Sequence, residues 1–124
     1  MRESEISRKT RETDIKIKVR FDECGKSNIS TGIGFFDHML TALSAHSGIS
    51  LDINVKGDLH VDGHHTVEDT GIVLGQAFAK ALGDKSGIER YGTAYIPMDE
   101  SLAFASLDIS NRPFLVFNAE FTND

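Results

Sequence analysis

His64-His65-Thr66-Val67-Glu68-Asp69 stands at the head of an apolar run that continues to Leu82. The run predicts a helix from about Thr66 to Leu82. On a helix, residues four apart share a face and neighbours point about 100° apart. His64 and Glu68 therefore converge on one point, and His65 aims elsewhere. One metal ion would use this spacing badly. Two ions, or two halves of a larger cage, would use it well. The order differs from His-Glu-x-x-His, where two histidines one turn apart hold one zinc and the glutamate is the base. The plain alternative is a helix start with hydrogen-bonding histidines. Thr66 is the expected N-cap, with Asp69 three residues on. Val67, Gly71, Leu74, Phe78 and Leu82 share one face of this helix, and Ile72 and Val73 lie well off it. A helix apolar on more than one side is covered on more than one side. Gly71 and Gly75 each cost about 1 kcal/mol of helix propensity unless close packing offsets it. The expectation is a helix held between layers or at a subunit contact.

Upstream, Lys56 to Gly63 reads as a loop, and Ile49, Leu51, Ile53 and Val55 alternate as a strand. Phe35 to Ser47 reads as an earlier helix, with Phe36, Met39, Leu40 and Leu43 at helical spacing and Gly48 as its stop. Asp14 to Phe21 alternates cleanly between Ile15, Ile17, Val19, Phe21 and Lys16, Lys18, Arg20. A turn at Asp22–Gly25 leads to a short strand over Lys26–Thr31, so the start reads as a hairpin. Residues 1–12 are dense in charge and show no periodicity. Downstream, Tyr91–Ile96, Leu102–Ile109 and Phe114–Phe121 read as three strands, with turns at Pro97–Glu100 and Ser110–Pro113. The chain then stops without helices to cover that sheet, so either partners cover it or residues beyond 124 are missing.

A chain of 124 residues is ordinarily one domain. It is 40% apolar and 26% charged, as a soluble globular protein is. A net charge of −6 argues against non-specific nucleic-acid binding, which needs a basic face. The lone Cys24 makes no internal disulfide, which fits a reducing compartment, and its turn-like setting argues against a catalytic role. Residues 1–14 are too charged for a signal peptide, and no apolar run reaches membrane-spanning length. The expected location is the cytoplasm.

Several segments together resemble one family, imidazoleglycerol-phosphate dehydratase of histidine biosynthesis. They are Arg11-Glu12-Thr13, Gly32-Ile33-Gly34-Phe35-Phe36-Asp37-His38-Met39-Leu40 and Gly57-Asp58-Leu59. Asp62 to Ile72, Arg90-Tyr91-Gly92, Pro97-Met98-Asp99-Glu100 and Asn111-Arg112-Pro113 follow in family order. Asn111 stands where the family usually has glycine. The resemblance implies an α+β fold of two similar halves, each a four-stranded sheet with two helices, the helices packed between the sheets. Residues 1–85 would be the first half, with the paired-histidine motif. Residues 86–124 would open the second, incomplete here. The family's second histidine-bearing helix, second paired-histidine motif and C-terminal phosphate-binding segment are not in this sequence.

The resemblance assigns His38 and His65 to one manganese ion and His64 and Glu68 to another, each cage completed by ligands this chain does not contain. Imidazole and carboxylate without thiolate suit manganese, iron or zinc. Taken alone, His38 beside Phe35 and Phe36 reads as a packed core residue. His46 lies roughly 12 Å further along the helix, too far for the same ion, and is left as substrate-pocket lining. The implied reaction dehydrates imidazole glycerol phosphate to imidazole acetol phosphate by way of a metal-bound imidazolate. The metals act as electronic tuners and a template, and a carboxylate takes the proton. Glu12 matches the family's substrate-contacting glutamate and is the candidate base, although by itself it reads as a solvated acid. Arg90 and Arg112 match substrate-binding positions, and a guanidinium fork suits phosphate. Asp99 and Glu100 are lesser helpers in a turn. The family assembles as a homo-oligomeric shell of twenty-four subunits, with sites at subunit interfaces. Against this enzyme stand two alternatives. One is a non-catalytic metal-binding fragment or assembly module, motivated by the missing half. The other is a metal hydrolase, which His-His-x-x-Glu serves poorly.

Overall fold

Ile15, Ile17 and Val19 are fully buried, and the lysines between them face outward. They lie on β2 (Thr13–Cys24), one of the two central strands of the sheet in the first part of the chain. The computed structural model describes residues 1–122, which fall into two compact units, Met1–Lys85 and a second from Ser86 onward. In the first unit, β1 (Glu3–Lys9), β2, β3 (Ser27–Ser30) and β4 (Ile49–Gly57) form one sheet in the order β1-β2-β4-β3. Leu51, Ile53 and Val55 of β4 continue the inward face begun by β2.

Two expectations for the start of the chain are corrected. Residues 3–9 form a strand, not an aperiodic charged tail. The inward positions of β1 are Ser4, Ile6 and Arg8, so only one carries an apolar side chain and the period-two signal disappears. The strand is held by its antiparallel ladder to β2, with the Lys16 ammonium 3.2 Å from the Glu5 carboxylate. There is also no hairpin between β2 and β3. β2 continues through Cys24 with an irregularity after Arg20, and its second edge is taken by β4. β3 pairs with β4 in parallel. Parallel neighbours need a long crossover, which α1 (Gly34–Ser47) supplies.

Both helices lie with a rotated face compared with the hydropathy reading. On α1 the buried side chains are Leu40 and Ser44, with Phe36 packed against the core, while Met39 and Leu43 are exposed. Ser44 can point inward because its hydroxyl donates to the Ile49 carbonyl at 2.6 Å. Gly48 closes α1 at φ 74°, a left-handed conformation that glycine adopts without steric cost. α2 (His64–Leu82) buries Thr66, Thr70, Val73, Ala77 and Ala81. Val67 and Ile72 are exposed, and Leu74 and Phe78 are half-buried at the core's margin. Small residues bring α2 close to the sheet; Thr70 donates to the Thr66 carbonyl and Ser4 to the Ala77 carbonyl, each at 2.6 Å, while the Thr66 Oγ1 is buried with no hydrogen-bond partner. Alanine and threonine weigh little on a hydropathy scale, so the true inward stripe is masked by its larger neighbours. The helix also starts earlier than expected. Gly63 is its N-cap, the Asp62 carboxylate accepts from the His64 N–H at 2.9 Å, and Thr66 is buried inside the first turn rather than capping it.

The second unit is a hairpin of β5 (Tyr91–Met98) and β6 (Ser101–Asp108). Asp99 and Glu100 make its two-residue turn, with Asp99 at φ 51°, and Pro97 belongs to β5 opposite Leu102. Asn111 sits at φ 66°, in the left-handed region that asparagine tolerates better than most residues. Phe114–Phe121 is not a strand. It has the composition of one, but no ladder forms there among the described residues, and Phe114, Leu115, Val116, Phe117 and Phe121 are exposed. A strand needs a paired neighbour as well as a suitable sequence.

Candidate metal centre at the start of the second helix

Because α2 begins at His64, both histidines sit in its first turn, and their rings diverge. The His64 Nε2 lies 2.9 Å from the Glu68 carboxylate, one turn on. The His65 Nδ1 lies 2.7 Å from the Asp58 carboxylate, which comes from the loop behind the helix. The two ring centroids are 6.0 Å apart with planes at 71°. The His64–Glu68 pair is largely exposed. The His65–Asp58 pair is not alike at its two ends: the His65 side chain is 41% exposed and that of Asp58 only 13%. The hydrogen bond to Asp58 raises the pKa of His65. Desolvation opposes the rise, and the charges of Asp58, Glu12 and Asp62 add to it.

The β1–β2 turn brings Glu12 to this place. Thr10 organises the turn, its hydroxyl oxygen accepting from the Glu12 and Thr13 N–H groups at 3.1 Å each. The Asp58 N–H donates to the Glu12 carbonyl at 3.0 Å. Glu12, Asp58 and His60 line an open hollow of about 310 Å³ together with Lys9, Arg11 and Lys56. Asp69 anchors the turn from the helix side. Its carboxylate accepts from the Thr13 hydroxyl at 2.7 Å and lies 3.1 Å from the Arg8 guanidinium. The Thr13 hydrogen bond and the Arg8 charge hold Asp69 below the usual carboxylate range, against the opposing effect of burial. Asp69 thus ties the helix to the sheet and does not serve its N-terminus.

His38 is exposed on α1, and His46 is exposed in its last turn. No three histidine, cysteine, aspartate or glutamate side chains are gathered closely enough to hold a metal ion among the described residues. Arg90 and Arg112 belong to the second unit. Arg90 makes a two-pronged contact with Asp108, at 2.6 and 3.2 Å, and its guanidinium stands 5.0 Å from the Tyr91 ring centre. Arg90 and Asp108 shift each other's pKa, the arginine upward and the aspartate downward. Asp58 and Asp108 are the site partners that the sequence reading left without a role. Asp58 is seven positions from His65 across a loop, a separation with no helical or strand periodicity to mark it.

The donor set suits a hard or borderline divalent ion, being imidazole and carboxylate without sulfur. His65 also has the usual arrangement of a ligating histidine, with one ring nitrogen on a carboxylate and the other left for a metal. Among the described residues this gives two histidine–carboxylate pairs and no complete cage.

The family model described as imidazoleglycerol-phosphate dehydratase matches residues 31–124. The imidazoleglycerol-phosphate dehydratase of Streptococcus sanguinis is 61% identical over 123 residues, covering 99% of this chain and 63% of the relative. That of Aliarcobacter butzleri is 64% identical over 113 residues, covering 91% of this chain and 60% of the relative. The crystal structure of the Staphylococcus aureus dehydratase superposes with a TM-score of 0.84 at 44% identity, over 98% of this chain and 66% of that one. The chain spans about three-fifths of the length of the curated relatives it matches. With the match covering most of the sequence and relatives at this level of identity, the chain belongs to the imidazoleglycerol-phosphate dehydratase family.

Proposed function

We propose that the protein dehydrates imidazole glycerol phosphate to imidazole acetol phosphate in histidine biosynthesis, as a cytoplasmic, manganese-dependent lyase. The observation that carries this reading is the divergence of the paired histidines, His64 toward Glu68 and His65 toward Asp58, at 2.9 and 2.7 Å. It supports a two-ion site and speaks against a single-zinc hydrolase. His64 and Glu68 would hold one ion and His65, with His38, the other. The cages would be completed by ligands from outside this chain, in a twenty-four-subunit homo-oligomer. The apolar surface left by Phe35, Met39, Leu43, Val67 and Ile72 is consistent with helices covered by a further layer. When bound, the ions supply Lewis acidity and a template for the imidazole ring.

The reaction removes a hydroxyl from the carbon beside the ring and a proton from the next carbon. The resulting enol becomes the ketone by proton transfer. Glu12 is the proposed base. Its turn is fixed by Thr10 and by the Asp58 N–H, which keeps its backbone beside the paired histidines. Arg112 and Arg90 are proposed to hold the phosphate or a hydroxyl. A phosphate that bound Arg90 would compete with, or add to, the Asp108 contact.

The test is conversion of imidazole glycerol phosphate by the purified protein, first stripped with chelator and then supplied with manganese. The expected result is loss of one water from the substrate only after manganese is restored. Metal binding without conversion would reduce the reading to an assembly module. Conversion that ignores the chelator would overturn the metal-dependent reading.

A further inference from the structure

Asp58 holds an unusual position among the acidic residues of the first unit. It is the most enclosed partner of the paired histidines, with 13% of its side chain exposed, although it lies in the loop after β4. Its carboxylate meets the His65 Nδ1 at 2.7 Å, and its other carboxylate oxygen is buried with no hydrogen-bond partner. Its main chain is fixed at both ends: the N–H donates to the Glu12 carbonyl at 3.0 Å, and the carbonyl accepts from the Val61 N–H at 2.9 Å. A carboxylate with an unmatched buried oxygen costs free energy where it stands. A surface-like polar residue would be cheaper if the loop needed only to turn.

We infer that Asp58 is the positioning residue of the site. It holds His65 with the proton on Nδ1, so that in the neutral ring Nε2 carries the lone pair available to a metal. The same residue, through its main chain, sets the height of the Glu12 turn relative to His65. Metal ligand and proposed base are thereby registered to one another by a single loop residue. This rests on the reading of His65 as a metal ligand. The chemistry is that of a carboxylate–histidine–metal relay, in which the outer carboxylate fixes the ring and raises its basicity as a ligand.

Among the described residues, His64 has no such support from outside its own helix. Its carboxylate neighbour Glu68 is itself a proposed ligand and lies on the same helix. Loss of Asp58 should therefore weaken only the ion that His65 helps to hold, and leave the ion of His64 and Glu68 in place.

The experiment is a manganese titration of the purified protein, followed by the electron paramagnetic resonance signal of the free ion. It is run on the parent, Asp58→Ala and Asp58→Asn, with thermal unfolding of the metal-free proteins alongside. The parent is expected to show two classes of bound manganese. Asp58→Ala is expected to weaken one class by about 10- to 100-fold, the usual cost of losing an outer-shell partner. Asp58→Asn keeps an acceptor for Nδ1–H and nearly the same shape. It is expected to lie closer to the parent than Asp58→Ala does, with an unchanged melting temperature. Unchanged affinity in Asp58→Ala would overturn the inference while leaving the metal site standing. Equal loss of both classes in both variants, with lowered melting temperatures, would overturn it as well and make Asp58 a structural residue. A parent that binds no manganese would overturn the metal reading itself, and the inference with it.

Discussion

Glu68→Gln is expected to remove one of two bound manganese ions and to lower kcat/KM by more than about 100-fold. Outer-shell partners of a metal already cost about 10- to 100-fold when lost, and a ligand should cost more than its supports do. Glutamine has nearly the same size and can still accept a hydrogen bond from His64. What it lacks is the negative charge of the carboxylate, and a neutral amide oxygen holds a divalent ion more weakly. The helix should be indifferent to the change, since Glu68 is exposed and glutamine has a similar helix propensity. An unchanged melting temperature with lost turnover would therefore locate the defect in the metal cage. Intact turnover would mean that Glu68 is not a ligand.

Gly57→Ala should be the most damaging single methyl in the first unit. A Cβ built at Gly57 would stand 2.0 Å from the Thr66 Oγ1 and 3.2 Å from its Cβ. Thr66 is fully buried, so its hydroxyl has nowhere to retreat, and rotation about χ1 leaves the Cβ contact in place. The end of β4 and the first turn of α2 meet here with room for a hydrogen only. Overpacking of this kind costs about 1–3 kcal/mol, and the upper end is expected because Thr66 is fully buried and its Cβ is fixed to the helix. That corresponds to a fall in melting temperature on the order of 10 °C or more for a unit of this size. Thr66 also precedes Val67 and Glu68 in the turn that carries the paired histidines, so manganese affinity should fall together with stability. Thermal unfolding of Gly57→Ala and of the double variant Gly57→Ala/Thr66→Ala checks the cause. The double variant removes the closest atom and should recover part of the loss. A single variant as stable as the parent would show that the contact relaxes without cost.

Much of this architecture is written in the sequence as periodicity, and the exceptions have physical causes. Ile15, Ile17 and Val19 between lysines mark β2 because one face is dry and the other wet. Ser4 and Arg8 hide β1, since its inward side chains are polar groups whose partners, Ala77 and Asp69, lie far along the chain. The four residues of β3 contain one apolar side chain, Ile29, and nothing local says whether they pair with β2 or, across α1, with β4. On α2 the large apolar residues drew attention to the wrong stripe, because Thr66, Thr70, Ala77 and Ala81 face the sheet at closer range than leucine or phenylalanine would allow. The candidate site divides in the same way. The convergence of His64 and Glu68 follows from helical spacing alone. The partner of His65 could not be read, because Asp58 reaches it across an irregular loop. Asp108 was equally invisible as the partner of Arg90, since their meeting depends on the register of a hairpin.

The measurement that bears most directly on the account is native mass spectrometry of the purified protein prepared with manganese. It reads subunit number and bound metal in one spectrum. The account predicts a closed homo-oligomer that retains about two manganese ions for each subunit, one for each direction in which the paired histidines point. A protein that retains no manganese in any assembly state would contradict it, and would leave His64, His65 and Glu68 as hydrogen-bonding residues at the start of a helix.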